Sequence, residues 1–414
     1  MTNKLLEHAQ QQLQQGKLDE ALASYQQILK DDPHQPDVLH LAAILLAQME
    51  HYAQSLDYLQ RAIKLQPDAA VFHNSKGNVL LRMDKLVAAT KAYYIAISLK
   101  PDYAVAYNNL GNSFYRQNKI TSAKKAYQKS IALQPDFPNA HFNYGRLLTA
   151  QEDYDHAIEE LEKAIALDKQ HVGALGQLAY IYLQKKDYAT AVNYFKQRLA
   201  IQPYHTETHY NLGLALLKMD NWVLASQHLA HAIALQPDHP EINYHLATAH
   251  LKLGEHKKAL QYYLHEVEIQ PHLESYYNIG VLLMYEEHHR DAVDYLKKAL
   301  QLNPSYLDVH INIAAIYLKM GRIQDAIAHY QLALKLKPND PEIINNLSYA
   351  QNMTLDAIDT VPETGISKLY KNITGKFTFD QWAYLAIGAM IVFVILYIIF
   401  YYSSYSTRKR WAFI

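Results

Sequence analysis

A proline recurs through this chain at a nearly constant interval, and that period limits what the chain can fold into. The step is 34 residues, except for one step of 33 and one site where Lys169 replaces proline; the markers are Pro33, Pro67, Pro101, Pro135, Lys169, Pro203, Pro237, Pro271, Pro304 and Pro338. A fixed period of this length is typical of a repeat array, in which each unit packs on its neighbours. Length alone therefore does not imply several globular domains.

The residues between the markers predict one helical hairpin per unit. We count positions backwards from each marker, so that −24 lies 24 residues before it. Position −24 holds Gly or Ala in all ten units, and position −12 holds Ala or Ser, which allows two helices to cross closely. Apolar residues recur at helical spacing, as in Tyr107, Leu110 and Phe114. An aromatic residue or Leu at −8 is expected to fill the space between hairpins, because one hairpin cannot bury its apolar face alone.

The period and segments such as Ala106–Asn112 (Ala-Tyr-Asn-Asn-Leu-Gly-Asn) resemble the tetratricopeptide repeat, a 34-residue helix–turn–helix. The resemblance covers residues 2–340. It implies an all-α, right-handed superhelix of about ten hairpins, whose first helices line a concave groove that holds peptides or partner proteins. We therefore assign residues 1–340 to the array, and the resemblance implies no chemistry.

The remaining residues predict a cap, a linker and a membrane anchor. Residues 341–355 continue the first-helix pattern with one polar face and are expected to cap the array, and 356–381 form a linker. Residues 382–402 contain no charge and are long enough to span a bilayer, with aromatic belts at Trp382 and Tyr384 on one side and Tyr401 and Tyr402 on the other. A buried core helix is the alternative, but the array offers no cavity for one. Residues 403–414 form a basic tail.

The orientation of the anchor stays open from sequence. Lys368, Lys371 and Lys376 precede the span and Arg408, Lys409 and Arg410 follow it, so the positive-inside rule gives a tie. The chain starts directly with a repeat helix and shows no signal peptide, which favours a cytoplasmic array.

A second resemblance concerns residues 345–414. The runs Asn346–Gln351, Phe379–Ile387 and Tyr401–Ile414 resemble the C-terminal region of BatE-type proteins of bacterial Bat (aerotolerance) operons. That resemblance implies a membrane-bound repeat protein that accompanies von Willebrand A-domain partners, with a role in assembly or stress tolerance at the envelope. The resemblance implies an extracytoplasmic array, which is kept as the alternative placement. This chain has more repeats than that pattern and lacks the export signal, and these differences weigh against the extracytoplasmic placement.

Composition and motifs exclude several functions. The 39 Lys plus Arg balance 40 Asp plus Glu, which excludes a strongly basic nucleic-acid binder, and zero Cys excludes thiolate metal sites and Cys nucleophiles. Phosphate-binding loops and nucleophile elbows are absent. The 22 His include three close pairs, which we interpret as solvated or packing residues: His205 with His209, His228 with His231, and His288 with His289. We expect no catalytic residue, metal, cofactor or small-molecule substrate.

Polar residues of the first helices form the candidate site. Position −26 carries Asn109, Asn143, Asn211, Asn278 and Asn312, and neighbouring concave positions add Asn74, Asn78, Asn108, Asn112, Arg146 and Tyr210. A carboxamide donates and accepts, so a column of them can pair with the backbone of an extended peptide. This pattern resembles the asparagine ladder of long tetratricopeptide arrays; the alternative is that each Asn only holds its own helix. The chaperone-tail clamp of the family is not matched, because Asn74, Asn108 and Phe142 stand where it needs Lys.

The sequence thus predicts a non-catalytic, membrane-anchored scaffold that holds a protein or extended peptide in its groove. The competing hypothesis is a subunit that presents substrates to an enzyme on another chain.

Overall fold

The computed structural model describes residues 2–356 and 379–402, and within them every regular element is an α-helix. The predicted linker and the basic tail lie almost wholly outside the described residues. The chain divides into two units, residues 1–304 and 305–414. The first unit contains α1 (Thr2–Gln14), α2 (Leu18–Asp31), α3 (Pro36–Gln48), α4 (Tyr52–Leu65), α5 (Ala70–Arg82), α6 (Leu86–Leu99), α7 (Ala104–Arg116), α8 (Ile120–Leu133), α9 (Pro138–Ala150), α10 (Tyr154–Leu167), α11 (Val172–Gln184), α12 (Tyr188–Ile201), α13 (Thr206–Lys218), α14 (Trp222–Leu235), α15 (Pro240–Lys252), α16 (His256–Ile269), α17 (Leu273–Tyr285) and α18 (His289–Leu302).

Each odd-numbered helix of this unit pairs with the next even-numbered helix, which makes nine hairpins stacked in chain order. The turn of each hairpin contains one residue with positive φ at position −17, such as Asn118 with φ 58°. The Lys119 N–H then donates to the Phe114 carbonyl at 2.9 Å, and the Asn118 N–H donates to the Tyr115 carbonyl at 2.9 Å. These two bonds satisfy carbonyls that would otherwise have no partner at the end of the first helix.

The small residues at −24 and the large ones at −8 meet inside each hairpin. A Cβ added to Gly111 would lie 2.5 Å from the Tyr127 ring, and one added to Gly145 would lie 2.7 Å from Leu161. Tyr127 and Leu161 are themselves fully buried. The predicted close crossing is therefore confirmed, and so is the all-α fold built from helical hairpins.

The second unit begins with a hairpin of α19 (Leu307–Lys319) and α20 (Ile323–Leu336), on which α21 (Pro341–Asp356) packs. Ile343 and Ala350 of α21 are buried, whereas the polar side chains on its other face, Asn345, Ser348, Gln351 and Asn352, are exposed. This is the arrangement expected of a helix that ends a repeat array in water.

The last described helix, α22 (Phe379–Tyr402), is 24 residues and therefore about 36 Å long. Its segment Gln381–Ile398 is long and apolar enough to cross a membrane, and none of that segment is buried. Trp382 and Tyr384 are exposed at its start. Tyr401 and Tyr402 belong to the helix, but their side chains lie outside the described part of the structure.

Candidate peptide-binding groove

Position −23 of three successive first helices carries Asn78, Asn112 and Arg146, and two of these side chains are oriented by buried tyrosines. The Tyr93 hydroxyl donates to Asn78 Oδ1 at 2.9 Å, and the Tyr127 hydroxyl donates to Asn112 Oδ1 at 2.8 Å. Because the tyrosine donates, each Asn keeps both N–H groups for another partner. Asn78 is exposed and Asn112 is half-buried, so these N–H groups can be reached from solvent.

Arg146 extends this row by one repeat. Its guanidinium lies near the Tyr127 hydroxyl, 5.3 Å from the Tyr115 ring centroid and 5.7 Å from that of Phe142, and its Nε is buried without a partner among the described residues. Burial of Tyr127 raises the pKa of its hydroxyl, which therefore stays protonated and can keep donating to Asn112. We call Asn78, Asn112 and Arg146 the donor row, since the groups that they present are N–H donors.

The row begins at a small cleft between the first helices α3 and α5. Its volume is about 220 Å³, and its lining includes Ile44, Ser75, Asn78 and Arg82. Ile44 occupies position −23 of the preceding repeat and is 46% exposed. An apolar side chain of a bound segment could therefore lie beside the first donor of the row.

A second set of predicted residues pairs across the junctions between hairpins. Asn109 Nδ2 donates to Asn74 Oδ1 at 3.0 Å, and Asn143 Nδ2 donates to Asn108 Oδ1 at 2.9 Å. Asn74, Asn108 and Asn143 are buried, while Asn109 is half-buried. These side chains therefore bind each other and join successive repeats, and their contact with a ligand stays a prediction.

The remaining predicted residues lie in other surroundings. Asn278 is half-buried near the buried Tyr263 hydroxyl, and Asn211 is half-buried at a junction where the preceding repeat has Gly176 instead of an Asn. Tyr210 donates to Glu241 Oε2 at 3.0 Å and lines a cleft of about 380 Å³ with Glu207 and His239. Asn312 is half-buried in the second unit.

Sequence reasoning missed Arg198, which lies close to a groove position. It occupies position −5, where six of the ten repeats have Ala, and its guanidinium packs on Gly176. A Cβ on Gly176 would be 2.6 Å from Arg198 Nη1, so this space exists because the residue is glycine. Arg198 Nη2 lies 3.0 Å from His205 Nε2, and its Nε is buried without a partner among the described residues. The sequence signal that could have identified Arg198 is that the sixth repeat has Arg at position −5 together with Gly at position −27.

The predicted histidine pairs include both packed and exposed residues: His209 is buried, whereas His231 and His288 are exposed. His209 Nε2 lies 2.9 Å from the Pro203 carbonyl, and its Nδ1 lies 3.1 Å from His228 Nδ1. Burial and the neighbouring His209 and His231 lower the pKa of His228 to about 4, which keeps it neutral. In residues 2–356 and 379–402, no group of three or more His, Cys, Asp or Glu is placed to hold a metal ion.

One buried ion pair predicts a local pH dependence. His141 Nδ1 lies 2.6 Å from Glu160 Oε2, and His141 Nε2 contacts the Pro135 carbonyl. The bond to Glu160 raises the pKa of His141 above its usual value. Burial would raise the pKa of Glu160, but its bonds to His141 and Lys163 outweigh burial and lower it. The pair therefore stabilises the fold most between about pH 4.5 and 6.5, and its contribution falls as His141 deprotonates above that range.

We expect His141→Asn to reduce the free energy of unfolding by about 1 kcal/mol more at pH 6 than at pH 8.5, as measured by urea unfolding. Asparagine suits this position, because Asn243 bonds the equivalent Pro237 carbonyl in a later repeat. The control is His73→Asn, since His73 contacts the Pro67 carbonyl but forms no ion pair with a carboxylate among the described residues. Equal pH dependence in the two variants would contradict the assignment.

Comparison with known families defines the class. Tetratricopeptide repeat families match residues 12–78, 283–345 and 210–273, and residues 95–207 match the tetratricopeptide domain of cytochrome c-type biogenesis protein H. The chain is a tetratricopeptide repeat protein.

Individual relatives share short stretches of repeats. A curated UDP-N-acetylglucosamine–peptide N-acetylglucosaminyltransferase of Giardia intestinalis is 28% identical over 97 residues, which are 23% of this chain and 7% of that enzyme. Among solved structures, YrrB, described as a tetratricopeptide protein with an unusual peptide-binding site, is 24% identical with a TM-score of 0.43, over 45% of this chain and 96% of its own. The type IV pilus biogenesis factor PilW is 21% identical with a TM-score of 0.46, over 52% and 98% of the two chains.

Proposed function

We propose that this protein is a non-catalytic scaffold that holds an extended segment of a partner protein against the donor row. The observation that carries the proposal is the orientation of Asn78 and Asn112 by Tyr93 and Tyr127, which leaves their N–H groups available at the same position of successive hairpins. Backbone carbonyls of an extended chain are acceptors, so a row of donors can hold it without reading its side chains.

Arg146 and Arg198 add positive charge to this surface. Arg146 is held over two aromatic rings. In the next repeat, the Arg198 guanidinium packs against Gly176 of the same repeat. A charge-assisted hydrogen bond is roughly twice as strong as a neutral one. We therefore propose that the bound segment places carboxylates or other acceptors over repeats five and six.

The scaffold is proposed to be attached to a membrane by α22. The exposed apolar segment Gln381–Ile398 is about 27 Å long, close to the hydrocarbon thickness of a bilayer. The finer proposal, from the resemblance of residues 345–414 to BatE-type proteins, is a role in assembly or stress tolerance at a bacterial envelope. The partner would then be a membrane-associated protein.

A photo-crosslinking experiment tests the groove. A benzophenone amino acid at Ile44 lies beside Asn78, and one at Gln60 lies on the exposed face of the second helix α4. We expect a crosslinked protein partner from position 44 and none from position 60. The variant Asn78→Thr with Asn112→Thr should reduce the yield from position 44 about tenfold, because it removes the donors of two oriented carboxamides.

Threonine is the matched replacement because the chain already uses it. In a later repeat, the Thr248 hydroxyl lies 3.1 Å from the buried Tyr263 hydroxyl, so Thr can satisfy a tyrosine at this position. Urea unfolding of the double variant should therefore be close to that of the original protein. An unchanged crosslinking yield in a folded double variant would rule out the donor row as the binding surface.

A further inference from the structure

The second helix of the third repeat, α6, has an exposed apolar surface that the donor row does not explain. Val87, Tyr94 and Ile95 are 65%, 52% and 45% exposed. The two positions of Tyr94 and Ile95 hold exposed polar residues in the adjacent repeats: Gln60 and Arg61 before, Gln128 and Lys129 after. These two positions therefore face solvent in all three repeats. Of the three, only this repeat has apolar side chains there.

A cleft of about 260 Å³ lies beside this surface, between α6 and α8. Tyr94, Tyr107, Leu110 and Phe114 form its apolar part, and the Tyr94 and Phe114 rings meet edge to face with centroids 6.4 Å apart. The cleft is open enough to receive one large side chain. Its remaining lining comes from α8: Ser122, Lys125, Ala126 and Lys129.

The charged residues that line the cleft are both lysines, Lys125 and Lys129. Neither α6 nor α8 contains Asp or Glu, whereas α6 carries Lys91 and α8 carries Lys124, Lys125 and Lys129. Among the described residues, no carboxylate forms an ion pair with Lys91, Lys125 or Lys129. A cluster of unpaired lysines around an apolar cleft complements an apolar side chain flanked by carboxylates.

This surface is separate from the donor row. Asn112 lies two residues from both Leu110 and Phe114 on α7, and two residues correspond to about 200° around an α-helix. The cleft and the row are therefore on opposite faces of α7. One bound partner segment does not occupy both.

We propose that Val87, Tyr94 and Ile95, with the adjoining cleft, form a second docking surface for an acidic protein segment that inserts one large apolar side chain. A lipid surface fits less well, because Lys91 and Ser98 interrupt the apolar face of α6, whereas binding in a membrane plane requires a continuous apolar face. A concave cleft favours a protruding side chain.

Fluorescence anisotropy with the full chain in nonionic detergent tests this surface. The probe is a fluorescein-labelled peptide, Glu-Asp-Glu-Phe-Glu-Asp-Glu, and the comparison peptide has Ala in place of Phe. We expect saturable binding of the Phe peptide that is about tenfold weaker for the Ala peptide and that weakens with added salt.

Three double variants of the protein separate the contributions to peptide binding. Tyr94→Gln with Ile95→Gln replaces both apolar side chains by the uncharged polar residue that the two adjacent repeats carry at the Tyr94 position, so the fold should be kept while binding of the Phe peptide falls about tenfold. Lys125→Glu with Lys129→Glu should weaken binding at low salt to a greater extent than at high salt. Asn78→Thr with Asn112→Thr should leave the difference in affinity between the Phe and Ala peptides unchanged, because that difference comes from the cleft and not from the donor row.

Three results would overturn the proposal. The first is equal affinity for the Phe and Ala peptides, or equal affinity of the original protein and the Tyr94 and Ile95 variant for the Phe peptide. The second is hydrogen-exchange protection of α6 and α8 in nanodiscs that contain phosphatidylglycerol, without peptide binding, which would identify a lipid surface. The third is a dimer in sedimentation that the same variant dissociates, without peptide binding, which would identify a second copy of this chain.

Discussion

Replacing Gly111 by Val is expected to destabilise the fourth hairpin by about 3 kcal/mol, because a buried aromatic ring already fills the space that a larger side chain needs. A Cβ at this position would be 2.5 Å from Tyr127 Cε1 and 2.6 Å from Cδ1. Two further methyl groups would displace the ring and break the bond from its hydroxyl to Asn112. Hydrogen exchange of α7 and α8 should accelerate more than that of the distant helices.

Gly111→Ala is the control for this prediction. Two later repeats place Ala at −24 against a tyrosine, Ala247 with Tyr263 and Ala314 with Tyr330, and all four side chains are buried. A small shift of the hairpin therefore accommodates one methyl group, and the better helix propensity of Ala offsets about 1 kcal/mol of its cost. We expect Ala to be nearly neutral. A Val variant as stable as the Ala variant would show that Tyr127 moves without cost.

The second large effect is expected in α22. Ile391→Lys with Val394→Lys places two charges at the middle of the apolar segment, and each costs on the order of 3 kcal/mol in membrane insertion. The protein should then move from the carbonate-resistant membrane fraction to the supernatant. Ile391→Leu with Val394→Leu should remain with the membrane. Retention of the double-Lys variant in the carbonate-resistant fraction would show that α22 is not the anchor.

The same protein can reveal on which side of the membrane the array lies. The chain has no Cys, so a single introduced Cys gives an unambiguous signal with a membrane-impermeant maleimide. Lys119 is a better site than the adjacent Asn118, because Asn118 has φ 58°, which an L side chain adopts at a cost, whereas Lys119 is exposed in the same turn. Labelling of intact cells, with any outer membrane permeabilised, would favour the envelope placement, and labelling only after lysis would favour the cytoplasm.

The fold could be predicted because the same local residue pattern recurs in every repeat. Positions −24 and −8 are separated by only 16 residues, so their contact follows from the hairpin itself, as Gly111 and Tyr127 show. The period gave the number of hairpins, and the apolar run gave α22 to within three residues at its start. These features depend on local periodicity and need no knowledge of distant contacts.

The candidate site could be predicted only as a list of polar positions. Asn78 and Asn74 are both polar residues of α5, yet the structure exposes one and buries the other against Asn109. The orientation of Asn78 depends on a tyrosine 15 residues away, and the pairing of Asn74 depends on the next repeat. Periodicity could not separate these two roles, since both positions lie on the same side of one helix.

The sequence by itself determined the hairpin, its repetition and the apolar helix, because these follow from residue spacing along one chain segment. Only the tertiary structure decided which carboxamides join the repeats, which present donors, and that the Arg198 guanidinium fills the space left by Gly176. The physical reason is that a polar group in a packed array takes whichever partner the neighbouring repeat brings within hydrogen-bond distance. That partner is fixed by the stacking of hairpins, 15 to 35 residues away, and not by the residue's own position in the period.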